Sequence, residues 1–166
     1  MNMDKVVHVS IGEVKVGKDE DILMASLGSC VGIGFIWKRK NLFGLAHCLL
    51  PEASLEEAEL NLMTARYVSQ AVPSLMKLMN IERKNRGEID AVLAGGGNMT
   101  APKNSDPTNL IGTLNANAAE KYLKQMGIQV VAKELGGETG RKIYLFCQTA
   151  EFTIKKISRI DSRKAG

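Results

Sequence analysis

The sequence predicts a single-domain α+β protein, a layered α/β sandwich whose strands pair in a mainly antiparallel or mixed arrangement. Its 166 residues are the length of one domain, and 45% of them are apolar, which is enough to bury a core. Short β-leaning runs come first, and helices and strands mix irregularly afterwards, which favours layered α+β packing over a regular βαβ repeat. We expect the domain to span residues 1–157 and a basic, flexible tail to span residues 158–166.

Four β-leaning runs occupy the first fifty residues. Residues 5–10 alternate weakly between apolar and polar side chains, whereas residues 22–27, 31–37 and 42–49 are apolar runs interrupted by glycine. The polar residues 38–41 predict a turn. The third and fourth runs are therefore expected to pair as a hairpin.

A helical region is predicted after these strands. Ser54 and Glu57 match a capping box, in which the two side chains satisfy each other's free backbone amides at a helix start. Apolar residues between positions 67 and 79 then recur at helical spacing. Pro73 interrupts this pattern and is expected to kink the helix or to begin a second segment.

The second half of the chain predicts one more helix and four strands. Residues 115–126 form an amphipathic pattern that includes Leu114 on its apolar side and ends at Gly127. The predicted strands are residues 89–94, 129–133, 142–148 and 152–157, and residues 149–150 are expected to form the turn between the last two.

Composition excludes several classes of protein. The 22 basic and 18 acidic residues give a net charge of +4, and only 5% of the chain is aromatic, so no nucleic-acid interface is expected. No apolar segment is long enough to cross a bilayer, and the first residues lack the pattern of a secretory signal. Three unevenly spaced cysteines are typical of reduced thiols. We expect a cytoplasmic protein with no membrane insertion.

Cys30 is the first candidate for chemistry. It follows Gly28 and Ser29 and lies between two predicted strands. A thiol on a tight turn beside glycine has exposed sulfur and backbone amides that can hold an oxyanion. The alternative is a small core residue, because free cysteine is among the most buried residue types.

His47 is the second candidate and one of two histidines in the chain. If the runs 31–37 and 42–49 pair, His47 returns towards Cys30, and the two side chains can form a Cys–His dyad. An imidazolium ion would favour the thiolate and could later protonate a leaving amine. The alternative is a hydrogen-bonded histidine at a strand end. His8 is interpreted as structural, and Cys48 and Cys147 are interpreted as core residues.

The remaining motifs give weaker evidence for a functional site. The chain has no C-x-x-C, H-x-x-H or H-E-x-x-H spacing, so no metal site is expected. The glycines at 95–97 follow a strand but lack the pattern of a nucleotide-binding loop, and they predict a sharp turn or a close backbone approach. Arg141 is interpreted either as an anion contact or as a solvated charge at a strand end.

The ordered set of motifs resembles one family, the chemoreceptor glutamine deamidases called CheD. The resemblance extends over residues 11–157. It rests on residues 27–31 and 44–47, Leu50 and Pro51, Tyr67 and Ala71, Gly96, Gly97 and Met99, Ile111, Gly112 and Asn115, and Gly136, Gly137, Gly140 and Arg141.

The resemblance implies a sandwich similar to the catalytic domain of the cytotoxic necrotising factor toxins. It implies that Cys30 is the nucleophile, that His47 is the general base and acid, and that amides near Gly28 and Ser29 hold the oxyanion. The third member of the family's site is typically a threonine six residues before the cysteine. Met24 occupies that position here, and Ser26, on the same strand face, is the candidate replacement for orienting the imidazole.

The resemblance also implies partners. The substrate would be the cytoplasmic helices of chemoreceptors, in which glutamine is converted to glutamate without a cofactor. A CheC-type response-regulator phosphatase would be a second partner. Gly96, Gly97 and Met99 are expected to line a groove that both partners use.

Two alternatives come from other classes of protein. The first is a weakly catalytic or non-catalytic CheD-like regulator that binds receptors and a CheC-type phosphatase, which the methionine at position 24 favours. The second is a cysteine hydrolase that acts on a small amide or on a different protein.

Overall fold

A computed structural model describes residues 5–60, 63–100, 102 and 104–157. Within these residues, the α-helices are α1 (Leu55–Glu59), α2 (Val68–Leu78) and α3 (Ile111–Gln125). The strands are β1 (Val6–His8), β2 (Val14–Gly17), β3 (Ile22–Leu27), β4 (Val31–Trp37), β5 (Leu42–Cys48), β6 (Asp90–Gly95), β7 (Gln129–Leu135), β8 (Arg141–Phe146) and β9 (Glu151–Lys156). The predicted tail at 158–166 lies outside the described residues.

The strands form two sheets. One sheet has four strands in the order β1-β3-β8-β9, and the other has five in the order β2-β5-β4-β6-β7. β1 is parallel to β3 and β6 is parallel to β7, whereas the other neighbouring strands are antiparallel. This arrangement confirms the predicted α+β sandwich with mixed strands.

Two layers of apolar side chains hold the sandwich together. Helices α2 and α3 pack on one face of the five-stranded sheet, around buried residues such as Phe35, Leu75 and Leu123. The other face of that sheet packs against the four-stranded sheet, around residues such as Leu23 and Leu145. Because successive side chains on a strand point to opposite faces, odd-numbered residues of β4 face the helices and even-numbered ones face the inter-sheet layer.

Several local predictions are confirmed. β4 pairs with β5 in the expected hairpin, and residues Lys38–Lys40 form a 3₁₀ turn between them. Ser54 and Glu57 form both hydrogen bonds of the capping box at the start of α1. Gly127 follows α3 with a φ of 72°, the left-handed conformation that glycine adopts without strain.

Other boundaries differ from the prediction. β2 was not predicted, because its four residues contain only two apolar side chains, which is too short a run to separate an alternating pattern from chance. β8 and β9 are joined by residues 147–150 rather than by two residues, and Ala150 takes a positive φ of 58°. α2 is one continuous helix, so Pro73 does not begin a new segment.

Helix α3 begins at Ile111, one turn before its predicted start. Its buried residues are Gly112, Asn115, Ala116, Ala118, Ala119 and Leu123. Leu114 was expected on the buried side, but it is 37% exposed. The buried face of α3 is therefore rotated by about one residue from the predicted face. The apolar pattern missed this because the buried face contains the polar Asn115.

Candidate active site

The chain crosses from the four-stranded to the five-stranded sheet at residues 28–30, which we call the cross-sheet turn. Donors from other elements hold its three carbonyl groups. The carbonyl of Gly28 accepts a hydrogen bond from the N–H of Gly97 at 2.9 Å, and the carbonyl of Cys30 accepts one from the N–H of Gly96 at 2.8 Å. The carbonyl of Ser29 accepts a hydrogen bond from the side-chain amide of Asn115 at 2.9 Å. The orientation of these peptide groups is therefore fixed from outside the turn.

This orientation also fixes the N–H groups of the turn. A trans peptide is planar, and its N–H points opposite to its C=O. Because the carbonyl of Gly28 is directed at Gly97, the N–H of Ser29 points away from Gly97. By the same geometry, the N–H of Cys30 points away from helix α3. Two adjacent amide donors thus face away from the groups that anchor the turn.

The loop after β6 packs so closely against the cross-sheet turn and other neighbouring backbone that residues 95–97 have no room for side chains. Gly95 has a φ of 104°, and a side chain there would place its first carbon 2.2 Å from the carbonyl oxygen of Cys30. A side chain at Gly97 would lie 2.9 Å from the carbonyl oxygen of Thr139. The close backbone approach predicted for residues 95–97 is therefore confirmed.

Cys30 is fully buried and packs in the inter-sheet layer. Burial raises the pKa of its thiol to about 11, whereas its own backbone N–H, which approaches the sulfur, opposes this shift. The sequence led us to expect an imidazolium ion that favours the thiolate. In the structure, the pKa of the Cys30 thiol is raised rather than lowered, and burial is the main cause, so the neutral thiol is favoured over the thiolate.

His47 lies on β5 opposite Gly32, and its side chain enters the inter-sheet layer with only 3% exposure. The Nδ1 atom lies 2.9 Å from the carbonyl oxygen of Val9. Burial lowers the pKa of the imidazole, although the hydrogen bond to Val9 and the charge of Glu13 oppose this shift. The Nε2 atom is buried and has no hydrogen-bond partner among the described residues.

The predicted hairpin brings Cys30 and His47 to the same end of the same layer. Cys30 comes two residues before Gly32, which is paired with His47, and the Cys30 side chain packs in the layer that the His47 side chain enters. Within the described part of the chain, no hydrogen bond joins their side chains. The two groups are thus neighbours but not a hydrogen-bonded pair.

Two cavities lie near this end of the layer, one lined by His47 and the other by Ser29, and Cys30 lines neither of them. The first has a volume of about 430 Å³, and its lining includes His47, Met24, Ser26 and residues 8–11. Within it, the hydroxyl of Ser26 donates to the sulfur of Met24 at 3.9 Å, whereas the orienting contact of His47 is made by the backbone of Val9.

The second cavity lies against the cross-sheet turn. It has a volume of about 250 Å³ and is lined by Ser29, Gly97, Asn98, Met99, Thr100, Pro102, Leu110 and Ile111. Met99 is half-buried and belongs to neither buried cluster, so it is a wall of this groove rather than a core residue. Gly96 lines a separate cavity on the far side of the loop, beside Leu135 and Gly136.

The remaining candidates have structural surroundings. Cys48 and Cys147 are fully buried, as predicted for core residues. Arg141 is only 4% exposed, so its interpretation as a solvated charge is wrong; its guanidinium donates to the carbonyls of Gly136 and Thr139. Across the described residues, no group of three or more His, Cys, Asp or Glu side chains is arranged to bind a metal ion.

The structure adds two residues to the site that the sequence did not assign. Val9 supplies the carbonyl that orients His47, and Asn115 supplies the amide that holds the cross-sheet turn. A backbone carbonyl leaves no trace in the side-chain pattern. Asn115 was noticed only as one of the residues that carry the family resemblance, and its place in the buried stripe of α3 could have indicated a structural role.

Comparison with known proteins decides the family. Residues 49–156 match the family profile described as CheD chemotactic sensory transduction. The chain belongs to the CheD family. A protein of Ruegeria sp. named "Probable chemoreceptor glutamine deamidase CheD 2" is 38% identical and aligns over 95% of this chain and 98% of its own length.

Other CheD relatives come from both bacteria and archaea. Proteins of Bdellovibrio bacteriovorus and Pyrococcus abyssi, both named "Probable chemoreceptor glutamine deamidase CheD", are each 36% identical. They align over 92% and 93% of this chain and over 95% and 94% of their own lengths. These CheD alignments extend over the cross-sheet turn and β5, which precede the segment matched by the family profile. No helix among the described residues of this family member could span a membrane.

Proposed function

We propose that this protein is a chemoreceptor glutamine deamidase, which converts glutamine side chains of receptor cytoplasmic helices to glutamate. The names of its relatives support this substrate. The observation that carries the proposal is the buried, unpartnered Nε2 of His47 in the same layer as the Cys30 thiol. A hydrolytic Cys–His dyad requires this arrangement of a thiol and a proton acceptor.

The first half-reaction forms a thioester. Nε2 of His47 removes the thiol proton while Sγ of Cys30 bonds to the side-chain carbonyl carbon of glutamine. The N–H groups of Ser29 and Cys30 hold the oxyanion, with Gly28 allowing the close approach of the substrate. His47 then gives its proton to the departing nitrogen, the C–N bond breaks, and ammonia leaves.

The second half-reaction releases glutamate. His47 takes a proton from water, the resulting hydroxide attacks the thioester carbonyl, and the C–S bond breaks. The proton returns to the sulfur, so the enzyme ends as it began. Proton transfer and covalent catalysis account for every step, and the cycle needs no cofactor or metal.

In this proposal, the carbonyl of Val9 orients the imidazole of His47. The carbonyl of Val9 can only accept a hydrogen bond, which makes Nδ1 the protonated nitrogen and leaves the lone pair on Nε2. Ser26 lines the cavity beside the imidazole and is the second candidate for this role, in place of the threonine that Met24 replaces.

The groove along Ser29, Gly97 and Met99 is our candidate for the surface that binds the substrate helix. Two features support it: it adjoins the cross-sheet turn, and Met99 is a flexible apolar contact on its wall. We propose that Gly96 shapes the backbone of this loop and that a CheC-type phosphatase uses the same groove.

Mass spectrometry of a receptor cytoplasmic fragment after incubation with the protein tests the proposed activity. We expect a mass increase of about 1 Da at particular glutamines, because each conversion replaces an amide by a carboxyl group. Wild-type protein that leaves every receptor glutamine unchanged would contradict the proposal. Equal conversion in buffer alone would contradict it as well.

A regulator that binds receptors and a CheC-type phosphatase with little turnover is the second candidate function. The burial of Cys30, which raises its pKa to about 11, favours this alternative. The mass-spectrometry experiment separates the two, since a regulator binds the receptor fragment without converting its glutamines.

A further inference from the structure

Asn115 is buried between helix α3 and the five-stranded sheet, with no exposed surface. Its Nδ2 donates two hydrogen bonds, one to the carbonyl of Ser29 at 2.9 Å and one to the carbonyl of Leu49 at 3.0 Å. Ser29 precedes Cys30, and Leu49 follows His47 by two residues. One side chain therefore connects the cross-sheet turn to the end of the strand that carries the histidine.

The chemistry of this contact requires an amide. Both acceptors are carbonyl oxygens, so the group between them must supply two N–H donors. The Oδ1 atom of Asn115 is buried without a partner among the described residues. An unpaired buried oxygen destabilises the folded state, and the two hydrogen bonds that Nδ2 donates offset this effect.

The contact with Ser29 acts on the reaction through one peptide group. The carbonyl of Ser29 and the N–H of Cys30 belong to the same plane and point in opposite directions. By holding that carbonyl, Asn115 fixes the direction of the N–H beside the sulfur. In the proposed mechanism, this N–H is one of the two donors to the oxyanion.

We propose that Asn115 is a positioning residue of the deamidase, which orients the Cys30 amide towards the oxyanion without touching the substrate. This inference rests on the proposed function of Cys30 as the nucleophile. A residue that only joins a helix to a sheet would affect stability and leave the chemistry at the sulfur unchanged.

Two reagents separate these roles, because only one of them needs the oxyanion donors. Acylation of Cys30 by p-nitrophenyl acetate passes through a tetrahedral oxyanion, whereas alkylation by iodoacetamide displaces iodide directly. Asn115→Asp keeps the size of the side chain but directs carboxylate oxygens at two carbonyls. The matched control is Asn117→Asp, an exposed position on the same helix. Labelling is read at the Cys30 peptide by mass spectrometry, at a temperature where each variant is folded.

We expect Asn115→Asp to slow acylation of Cys30 by about 10- to 100-fold, somewhat less than the loss of an oxyanion donor itself. Alkylation should stay within about threefold of wild type, and Asn117→Asp should change neither rate. If Asn115→Asp does not fold, Asn115→Ser is tested in the same way, since a hydroxyl can donate to only one carbonyl.

The slowed acylation should partly recover in Asn115→Asp as the pH falls, relative to wild type, because a protonated carboxyl can donate one hydrogen bond. Equal slowing of acylation and alkylation, or no slowing of either, would overturn the positioning role. Wild-type protein that is acylated at Cys30 but leaves receptor glutamines intact would refute the proposed function alone and leave the inference about Asn115 in place.

Discussion

The Nδ1 atom of His47 lies 2.9 Å from the carbonyl oxygen of Val9, and this contact decides where the imidazole carries its hydrogen. A carbonyl only accepts, so Nδ1 donates and Nε2 keeps its lone pair. Burial lowers the pKa of His47, which keeps the ring neutral near pH 7. The fold thus leaves a lone pair on Nε2 of His47, as the proposed mechanism requires.

Replacement of the proposed nucleophile tests the mechanism most directly. Cys30→Ala should abolish glutamine conversion, because no other group can form the thioester, and should destabilise the fold by about 1 kcal/mol. Cys48→Ala and Cys147→Ala are matched controls, since both residues are fully buried and lie outside the reaction. Mass spectrometry and thermal unfolding of all three variants give the answer. Conversion by a folded Cys30→Ala protein would end the nucleophile hypothesis.

The reactivity of the Cys30 thiol should follow its raised pKa. With a pKa of about 11, alkylation by iodoacetamide should increase about tenfold per unit between pH 7 and pH 10. His47→Ala should stop deamidation but leave this profile unshifted in the free protein, and His8→Ala should affect neither. A plateau of alkylation near neutral pH would show instead that an imidazolium ion stabilises the thiolate.

The buried imidazole also makes stability depend on pH. Because the pKa of His47 is lower in the folded state than its ordinary value of 6.5, the unfolded chain binds the proton more readily. Above pH 6.5 the imidazole is neutral in both states and does not reduce the free energy of unfolding. Below that pH the unfolded chain takes up the proton, and the free energy of unfolding declines. Urea unfolding between pH 5 and pH 7.5 should show this decline in wild type and a smaller one in His47→Gln. An equal decline in both proteins would assign it to other groups.

Orientation of the imidazole can be tested at the two side chains beside it. Since Nδ1 is already paired with Val9, Ser26→Ala should keep kcat within about threefold of wild type, and Met24→Thr should gain no more than that. Steady-state deamidation of the receptor fragment measures both. A loss above tenfold in Ser26→Ala would transfer the orienting role to the serine.

Sequence reasoning succeeded where a pattern of side chains decides the structure. The apolar runs of β3 and β4 have the predicted bounds. β4 is buried on both faces, against the helices and against the second sheet, and this requires a continuous apolar run. The hairpin then places His47 beside the turn that holds Cys30. Chemistry and spacing raised both residues as candidates and left a structural alternative open for each, and the catalytic roles come from the family resemblance.

The rest of the site depends on backbone contacts and on burial, which no local pattern encodes. Val9 is separated from His47 by 38 positions and contributes only a carbonyl. The burial that raises the pKa of Cys30 comes from the packing of two sheets. Asn115 interrupts an apolar stripe, so the pattern shifted the predicted helix face by one residue towards Leu114.

The groove beside the cross-sheet turn gives the last prediction. Met99 is half-buried on its wall, and a charged side chain there would enter a groove that Leu110 and Ile111 also line. Met99→Glu should therefore raise KM for the receptor fragment by about tenfold or more while kcat stays within threefold. Met99 is a better probe than Gly97, where any side chain would meet the carbonyl of Thr139.

The same variant tests whether two partners share the groove. If they do, a CheC-type phosphatase should inhibit deamidation competitively in wild type, and Met99→Glu should weaken both associations. Met63→Glu is the matched control, because Met63 is 43% exposed and lies outside the groove. Calorimetric titration of each partner into each variant provides the affinities. A ternary complex that forms with undiminished affinity would exclude a shared groove, because one groove cannot hold two partners at once. It would leave the Cys30 and His47 chemistry unaffected.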